Sequence, residues 1–292
     1  MKSLILKGGL GNQLFQVSKF LELSKKKFND LKIDTQTGFL TDFKYKRRFE
    51  FQNLSITKYK TNHIHSFLNV CILFINKYFP SIINFLLVEI INDTKNISLI
   101  KKKKIMVFDG YFQEFNSIYP NLRNLYKIVE PNFLKVKESK FRDLIDEIKS
   151  YKNSIALCIR FYEETSDPSK HAAKDSKSKS VDDYNKIIKE LEEKLSDPHF
   201  FVFVQYENNF TKNLIFRSPS LIISHCKGYK GSWERLEAQA CCKHHIFNNS
   251  TFYYWGAIFS EFLNKDKEIK PIIYISDNFI FDKVYNPIWK KF

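Results

Sequence analysis

The sequence contains few of the residues that build disulfide bonds or metal sites. Cysteine accounts for five of the 292 residues, an odd number, and no C-x-x-C pair occurs. No H-E-x-x-H motif is present either, and the adjacent pair His244 and His245 would point to opposite faces of a strand. We therefore predict a reduced, cytosolic protein without disulfides and without a metal site.

The sequence also lacks a signal peptide and a run of about 20 apolar residues. We accordingly expect a cytoplasmic protein without a spanning helix. The stretch from Phe67 to Ile91 comes nearest to one, but asparagine, lysine, proline and glutamate interrupt it. Two interpretations stay open: a buried helical hairpin, or an amphipathic surface on anionic lipid at the inner face of the cell membrane, with Lys58, Lys60 and the Lys101–Lys104 cluster beside it.

Negative charge is scarce relative to positive charge, and the formal net charge is +15. The lysines form small clusters, which predict an anionic partner such as a nucleotide, a membrane surface or a nucleic acid. No zinc finger, RNP aromatic block or basic helix is present, so we expect no specific nucleic-acid partner. The clusters also fit an ordinary solvated surface.

Apolar runs of strand length alternate with helical patterns, which predicts an α/β protein with parallel sheets. Its length suits two domains, and we place their boundary near Ser150, giving residues 1–150 and 151–292. In the second half, Ser180 and Asp183 form a helix-capping pattern, and Phe200–Val204 reads as a strand covered on both sides.

The most informative stretch is the strand Ser3–Lys7 and the glycine loop that follows it. Gly8, Gly9 and Gly11 allow close approach of a ligand, and the head of the next helix favours an anion. Asn12 and Gln13 add amides able to contact a sugar or a phosphate. A tight turn without a ligand is the simpler alternative.

The sequence of this stretch, G-G-L-G-N-Q-L-F-Q, resembles the N-terminal segment of the bacterial alpha-1,2-fucosyltransferases of glycosyltransferase family eleven. The resemblance recurs at Asp109–Gln113 and at Cys242–Ala257, in the same order and over nearly the whole chain. It implies the GT-B fold, in which two Rossmann-like domains face a cleft. The first domain would bind the acceptor and the second the nucleotide-sugar.

The activity implied by the resemblance is transfer of L-fucose from GDP-fucose, with inversion, to a hydroxyl of a glycan. The expected acceptor is a surface polysaccharide such as O-antigen, carried on a lipid. No cofactor is expected besides the donor substrate, a GDP-sugar. The missing D-x-D triplet, with which many sugar transferases hold a metal, predicts that no metal is needed.

The donor site implied by the resemblance lies in the second half. Cys158–Glu163 stands where the family has H-x-R-R-G-D, and Arg160 matches the first arginine, which would grip the diphosphate. The remaining candidates are grouped by role. The predicted catalytic residues are Asn12, Asp109, Arg160 and Glu163. The predicted donor-binding residues are Gly9, Gly11, Asn12, Gln13, Arg160, Asn249, Ser250 and Thr251.

The donor block departs from the family pattern at four positions. Cys158 replaces the histidine, Phe161 the second arginine, Tyr162 the glycine and Glu163 the aspartate. Gln205 and Tyr206 also replace acidic residues of the family. These departures leave two alternatives open: a transferase of the same fold with another nucleotide-sugar donor, and a carbohydrate-binding relative without activity.

Overall fold

The computed structural model describes residues 1–40, 42, 45–51, 55–85, 88–93, 95, 103–133, 139–161, 179–265, 270–279 and 282–292. The chain forms two compact units, Met1–Pro131 and Asn132–Phe292. Each unit contains a parallel sheet with helices, which confirms the α/β prediction. Glu163, one of the predicted catalytic residues, lies outside the described ranges, as do Tyr162 and most of the lysine cluster at 174–179.

The first unit is built on a four-stranded sheet of order β2-β1-β4-β3, with every pair parallel. Its strands are β1 Lys2–Ile5, β2 Lys32–Asp34, β3 Val88–Ile91 and β4 Ile105–Phe108. Its helices are α1 Leu10–Lys26, α2 Thr37–Leu40, α3 His63–Tyr78, α4 Pro80–Phe85, α5 Phe115–Ile118 and α6 Leu122–Phe133, of which the last two residues belong to the second unit.

The glycine loop runs from β1 into α1, as predicted. Leu14, Val17, Phe20 and Leu21 recur at helical spacing and are buried in the structure. Strands β1 and β4 are neighbours, so the loops that follow Ile5 and Phe108 emerge at the same edge of the sheet. This carboxyl edge is where open parallel sheets bind ligands.

A buried polar cluster fixes α2 and α3 to the end of β2. Asp34 Oδ2 accepts hydrogen bonds from Thr37 Oγ1 and Asn69 Nδ2, both at 2.6 Å, and Oδ1 accepts from Ser66 Oγ at 3.1 Å. Ser3 Oγ donates to Asn69 Oδ1 at 2.9 Å. The inward face of α3 is therefore held partly by hydrogen bonds to a carboxylate.

The stretch predicted as a helical hairpin or amphipathic surface forms α3, α4 and the strand β3. The helical pair is present, but most of the outward face of α3 is exposed, which contradicts the buried hairpin and leaves the amphipathic surface as the remaining interpretation. Strand β3 was missed because its pattern continues an apolar helical stretch. Across the described ranges, every helix falls short of the length and apolar character that crossing a bilayer requires.

The second unit is built on a six-stranded parallel sheet of order β10-β9-β8-β5-β6-β7. Its strands are β5 Asn153–Cys158, β6 Pro198–Phe203, β7 Ser220–Ile223, β8 His244–Phe247, β9 Ile273–Ile275 and β10 Lys290–Lys291. Its helices are α7 Ser139–Ser150, α8 Val181–Lys194, α9 Asn209–Lys212, α10 Ser232–Cys241 and α11 Thr251–Asn264. Counted along the chain from β5, this is the strand order 3-2-1-4-5-6 of the dinucleotide-binding folds.

The boundary between the units differs from the predicted position near Ser150, because α7 belongs to the second unit. Phe141, Leu144, Ile145 and Ile148 lie on one face of α7 and are buried, and α7 packs against α10. The sequence of α7 is rich in charged residues, so its pattern alone does not show which unit it joins. Its apolar face is buried in the core of the second unit.

Two structural features of the second unit agree with the local patterns in its sequence. Ser180 and Asp183 form the predicted capping box of α8, with Ser180 Oγ accepting from Asp183 N at 3.2 Å. Strand β6 is buried along its whole length, as its apolar run predicts.

Candidate functional site

The glycine loop of the first unit has one glycine that the backbone requires and one that it does not. Gly8 has φ +77°, a left-handed conformation that favours glycine. Gly9 caps α1 in an extended conformation, and an added Cβ would meet nothing closer than Arg47 Nε at 3.8 Å. Packing therefore does not explain glycine at position 9, whereas close approach of a ligand would.

The two amides predicted to contact a ligand are held within the fold. Gln13 is buried; its Nε2 donates to Gly8 O and Arg48 O, and its Oε1 accepts from Glu50 N, all within 2.9 to 3.0 Å. Asn12 Oδ1 accepts from Gln113 Nε2 at 2.9 Å. Gln13 thus braces the loop against residues 48–50, and Asn12 joins the glycine loop to the loop after β4.

Gln16, which the sequence analysis did not single out, reinforces the same junction. Its Oε1 accepts from Lys7 N and its Nε2 donates to Gly110 O, both at 3.0 Å. The motif G-N-Q-L-F-Q therefore supplies three amides on one helix that fix two loops at the carboxyl edge. Gly11 lies buried in the first turn of α1.

The carboxylate predicted as a catalytic residue in this unit is ion-paired. Asp109 Oδ1 lies 2.7 Å from Lys7 Nζ, and both side chains are about one-quarter exposed. The ammonium of Lys7 also lies 5.1 Å from the ring centre of Tyr111. Asp109 thus lies in the loop that Gln113 joins to Asn12, at the carboxyl edge of β1 and β4.

Asp93, after β3, shapes the loop that carries Tyr111. Its carboxylate accepts from Tyr111 N at 3.0 Å and Phe112 N at 2.5 Å, and Phe112 has φ +52°. A Cβ at Gly110 would lie 2.8 Å from Asp93 Oδ1. This explains why the loop opens with Asp109-Gly110, since the carboxylate needs the space.

In the second unit, Arg160 lies where the strand order reverses. The chain leaves β5 for β6 on one side and later returns through β8 on the other, so the ends of β5 and β8 form the switch point at which sheets of this topology have their ligand crevice. Arg160 follows β5, and Asn248 to Thr251 follow β8. The structure therefore brings together the predicted donor-binding residues of this unit.

Asn248 locks the two loops of this crevice together. Its Oδ1 accepts from Arg160 N at 2.8 Å, and its Nδ2 donates to Arg160 O at 2.9 Å. Asn248 is buried. The sequence analysis missed this residue because the pairing joins positions far apart in the chain, and its position directly before Asn249 was the available signal.

The neighbouring loops contribute further polar groups around Arg160. With its amide oriented to satisfy both contacts, Gln205 accepts from Arg160 Nη1 and donates to Phe161 O, each at 3.2 Å. Phe161 and Tyr206 are ring neighbours with centres 5.8 Å apart. Gln205 is thus a neutral hydrogen-bond partner of the Arg160 guanidinium.

A second arginine, Arg235 of α10, is buried beneath the same edge. Its guanidinium donates to Val204 O and Tyr229 O at 3.0 Å and to Ile223 O at 3.3 Å, so it ties the ends of β6 and β7. None of the ion pairs in the described part of the chain includes Arg235. A buried cation held by carbonyls gives this edge a positive potential.

His225, which follows β7, responds to that potential. Burial lowers its pKa below the usual 6.5, and the charges of Arg235, Lys230 and Arg160 lower it further. His225 N donates to Gln205 O at 3.0 Å, which holds the residue beside the Arg160 loop. The carboxyl edge of β5, β6 and β7 thus favours an anion.

The residues at the N-terminus of α11 cap the helix and also lie at the crevice. Ser250 is the N-cap of this 14-residue helix and accepts from Tyr253 N at 3.5 Å. Asn249 is buried, and Thr251 is partly exposed in the first turn. The helix head therefore lies at the crevice, with backbone N–H groups directed toward its N-terminal side.

Several residues within the two stretches Cys158–Glu163 and Cys242–Ala257 belong to the core. Tyr253, Tyr254 and Trp255 are buried, and Tyr253 OH lies 3.3 Å from Ile159 O and 3.4 Å from Phe203 O. Cys158 is fully buried, and burial raises the pKa of its thiol. The aromatic trio is therefore a packing element, and Cys158 presents no surface to a ligand in this structure.

The adjacent histidines of β8 are also structural. His244 Nδ1 accepts from Ile272 N at 3.0 Å, so Nε2 carries the proton and faces Asn153 Oδ1 at 3.3 Å. Burial lowers the pKa of His244 to about 4 and that of His245 to about 3. In the described ranges, no three histidine, cysteine, aspartate or glutamate side chains converge where an ion would be held.

Comparison with known proteins finds similarity at the level of structure. No model of a protein family matches the sequence, and no curated protein matches it. Among solved structures, the chain is similar to an arginine-to-lysine mutant of Arabidopsis thaliana FUT1 in complex with GDP, with 11% identity and a TM-score of 0.46. The match covers 93% of this chain and 70% of the plant chain.

Proposed function

We propose that the protein is an inverting glycosyltransferase that needs no metal and has the GT-B arrangement. Its donor is a nucleotide-sugar, for which GDP-fucose is our best assignment, and the product is an alpha-1,2 linkage. The acceptor is a hydroxyl of a surface polysaccharide or oligosaccharide on a lipid carrier. The reaction takes place in the cytoplasm at the inner face of the membrane.

The observation that carries this proposal is the electropositive switch point of the second unit. Arg160 lies at the end of β5, the head of α11 lies at the end of β8, and Asn248 joins the two loops. Buried Arg235 adds positive charge below them. The strand order places a guanidinium and a helix N-terminus at the same edge of the sheet, and both groups favour binding of a diphosphate.

The proposed chemistry assigns the leaving group to these residues. As the acceptor oxygen bonds to the anomeric carbon, the bond from that carbon to the β-phosphate oxygen breaks and the nucleoside diphosphate departs. Arg160 stabilises the negative charge that grows on the diphosphate, together with Ser250, Thr251 and the N–H groups of α11. The glycine loop, with Gly9, is the other element that we propose approaches a substrate.

We assign the acceptor to the carboxyl edge of the first unit, with Asp109 as the base. Lys7 contacts Oδ1 of Asp109, so Oδ2 is the oxygen that we assign to the acceptor hydroxyl. Asn12 and Gln113, which are hydrogen-bonded to each other, belong to the two loops at this edge. Glu163 is the alternative base from the family block.

The first experiment measures which nucleotide the second unit binds. All three tryptophans, Trp233, Trp255 and Trp289, lie in this unit, so tryptophan fluorescence reports its unfolding. GDP, UDP, CDP, dTDP and their sugars are compared; a ligand at about 100 times its Kd raises stability by about 2.7 kcal/mol. We expect GDP and GDP-fucose to raise the transition temperature most.

Turnover is then measured for Arg160→Ala and Arg160→Lys, with exposed Arg217→Ala as the control. We expect kcat to fall by about 10²–10³ in Arg160→Ala, and Arg160→Lys to recover little because a lysine lacks the planar fork. Near-normal kcat in the alanine variant contradicts the assignment. Transfer from another nucleotide-sugar alone would refute GDP-fucose, and glycan binding without turnover would favour the non-catalytic relative.

A further inference from the structure

The helix α3 carries its large apolar side chains on the side that faces solvent. Its inward face includes Ser66 and Asn69, which are buried and bonded to Asp34. The outward side chains, together with two that follow in the turn and α4, are 43 to 69% exposed. We define them as the apolar face: Ile64, Phe67, Leu68, Phe74, Tyr78, Phe79 and Ile82.

The apolar face is a continuous stripe, which distinguishes it from ordinary exposed apolar residues. Positions 64, 67, 68, 74 and 78 recur at helical spacing, so the side chains lie along one side of α3. Seven of the thirteen large apolar residues exposed in the described part of the chain lie in this one stretch. Patches of this kind mark contact with a membrane or a partner.

The charge around the face selects an anionic partner. No aspartate or glutamate occurs from Ser55 to Phe85, whereas Lys58, Lys60 and Lys77 lie in this segment. Lys58 and Lys77 are exposed, and the Lys77 ammonium lies 5.2 Å from the ring centre of Tyr78, at the end of the stripe. Apolar side chains flanked by lysines suit the boundary between acyl chains and anionic headgroups.

We propose that the apolar face docks on a bilayer surface that contains anionic phospholipid. The 16 residues of α3 extend about 24 Å. The hydrogen bonds of Asn69 and Ser66 fix its inward face to the sheet, so the helix lies along the interface with its outward side chains in the lipid. Lys58 and Lys77 contact the headgroups.

The position of α3 connects this face to the first unit's ligand edge. Ser66 O accepts from Thr37 Oγ1, and His63 Nδ1 lies 3.0 Å from Gln36 Nε2, so α3 begins where β2 ends. This is the carboxyl edge that also carries the glycine loop and Asp109. Under the proposed function, a lipid-linked acceptor would reach this edge directly from the membrane.

The test is co-sedimentation of the full chain with vesicles. Vesicles of phosphatidylcholine alone are compared with vesicles of equal parts phosphatidylcholine and phosphatidylglycerol, at low and high salt. We expect binding to the anionic vesicles that weakens with salt. The double variant Phe67→Ser, Phe74→Ser should lower the ratio of bound to free protein by on the order of tenfold or more per phenylalanine, since buried aromatic area is lost.

Two further variants make the result specific. Ile215 and Ile288, in the second unit, are 67 and 75% exposed, and Ile215→Ser, Ile288→Ser is the matched control whose vesicle binding should equal that of the wild type. Lys58→Glu, Lys77→Glu should remove the preference for anionic vesicles. Circular dichroism of every variant checks that the fold is retained.

The proposal is overturned if the wild type stays in the supernatant with both vesicle types, or if the phenylalanine variant binds as well as the control. It is also overturned if light scattering shows a dimer that the phenylalanine variant dissociates while vesicles are not bound, because the face then covers a second copy. These measurements use no nucleotide and record no turnover. A negative result would therefore contradict the membrane proposal without bearing on the proposed transferase activity.

Discussion

Asn248 offers the sharpest test of how the second unit is built. Its buried amide makes two hydrogen bonds with the peptide groups of Arg160, donating to Arg160 O and accepting from Arg160 N. Asn248→Ala removes both partners at once. Asn248→Asp keeps the acceptor for Arg160 N but directs a carboxylate oxygen at Arg160 O.

The expected loss follows from those two contacts. A net hydrogen bond contributes about 0.5–1.5 kcal/mol, and a buried group left without its partner costs about 1–3 kcal/mol. Because Arg160 is partly exposed, water relieves some of this cost, and we expect Asn248→Ala to lower the unfolding free energy by about 2–4 kcal/mol. With a urea slope of roughly 2 kcal/mol/M, the midpoint falls by about 1–2 M.

The assay is urea unfolding followed by tryptophan fluorescence, which reports the second unit because Trp233, Trp255 and Trp289 all lie there. Asn209→Ala, at an exposed asparagine, is the control. The deficit of Asn248→Asp should shrink as the pH falls, since a protonated carboxyl again donates to Arg160 O. Nucleotide binding should weaken with Asn248→Ala because the Arg160 backbone loses its support.

The reasoning about this junction fails if Asn248→Ala shifts the midpoint no more than Asn209→Ala. It also fails if Asn248→Asp shows the same deficit at every pH. Either result would mean that the two loops are held by other contacts.

Two other predictions address metal dependence and a buried acid. Excess EDTA should leave turnover unchanged, because cations and N–H groups are proposed to neutralise the diphosphate; loss of turnover that magnesium or manganese restores would refute this. Burial raises the pKa of Glu237 from 4.5 to about 7, so between these values the folded protein keeps a proton that the unfolded chain has released, and stability falls as the pH rises through this window. Glu237→Gln should remove about 1–2 kcal/mol of that fall, after allowance for partial exposure; equal pH slopes in urea unfolding for the variant and the wild type would contradict it.

Local patterns in the sequence were sufficient for many elements of the fold. The Ser180 cap, the run of β6 and the helical spacing of α1 each depend on neighbouring residues, so they can be identified without tertiary contacts. Strand β3 and the membership of α7 could not be identified in this way. Both depend on which sheet an apolar face packs against.

For the candidate site, the sequence determined the residue types and their order, including the glycine loop, Asp109, Arg160 and the Asn249–Thr251 segment. It did not determine what each side chain contacts. Gln13 is hydrogen-bonded to two loops, and Asp109 is ion-paired with Lys7. Asn248 is hydrogen-bonded to the backbone of Arg160, 88 positions earlier in the chain. Hydrogen bonds across such separations depend on strand order, which the tertiary structure alone decides.

The face that α3 turns toward the sheet shows most clearly what the sequence determined and what the tertiary structure decided. Its sequence determined an apolar helix, and a buried hairpin was one of the two interpretations left open for it. The tertiary structure instead turned Asn69 and Ser66 inward, because Asp34 at the end of β2 is buried and needs hydrogen-bond donors. The demand of one buried carboxylate therefore decided that the phenylalanines of α3 face outward.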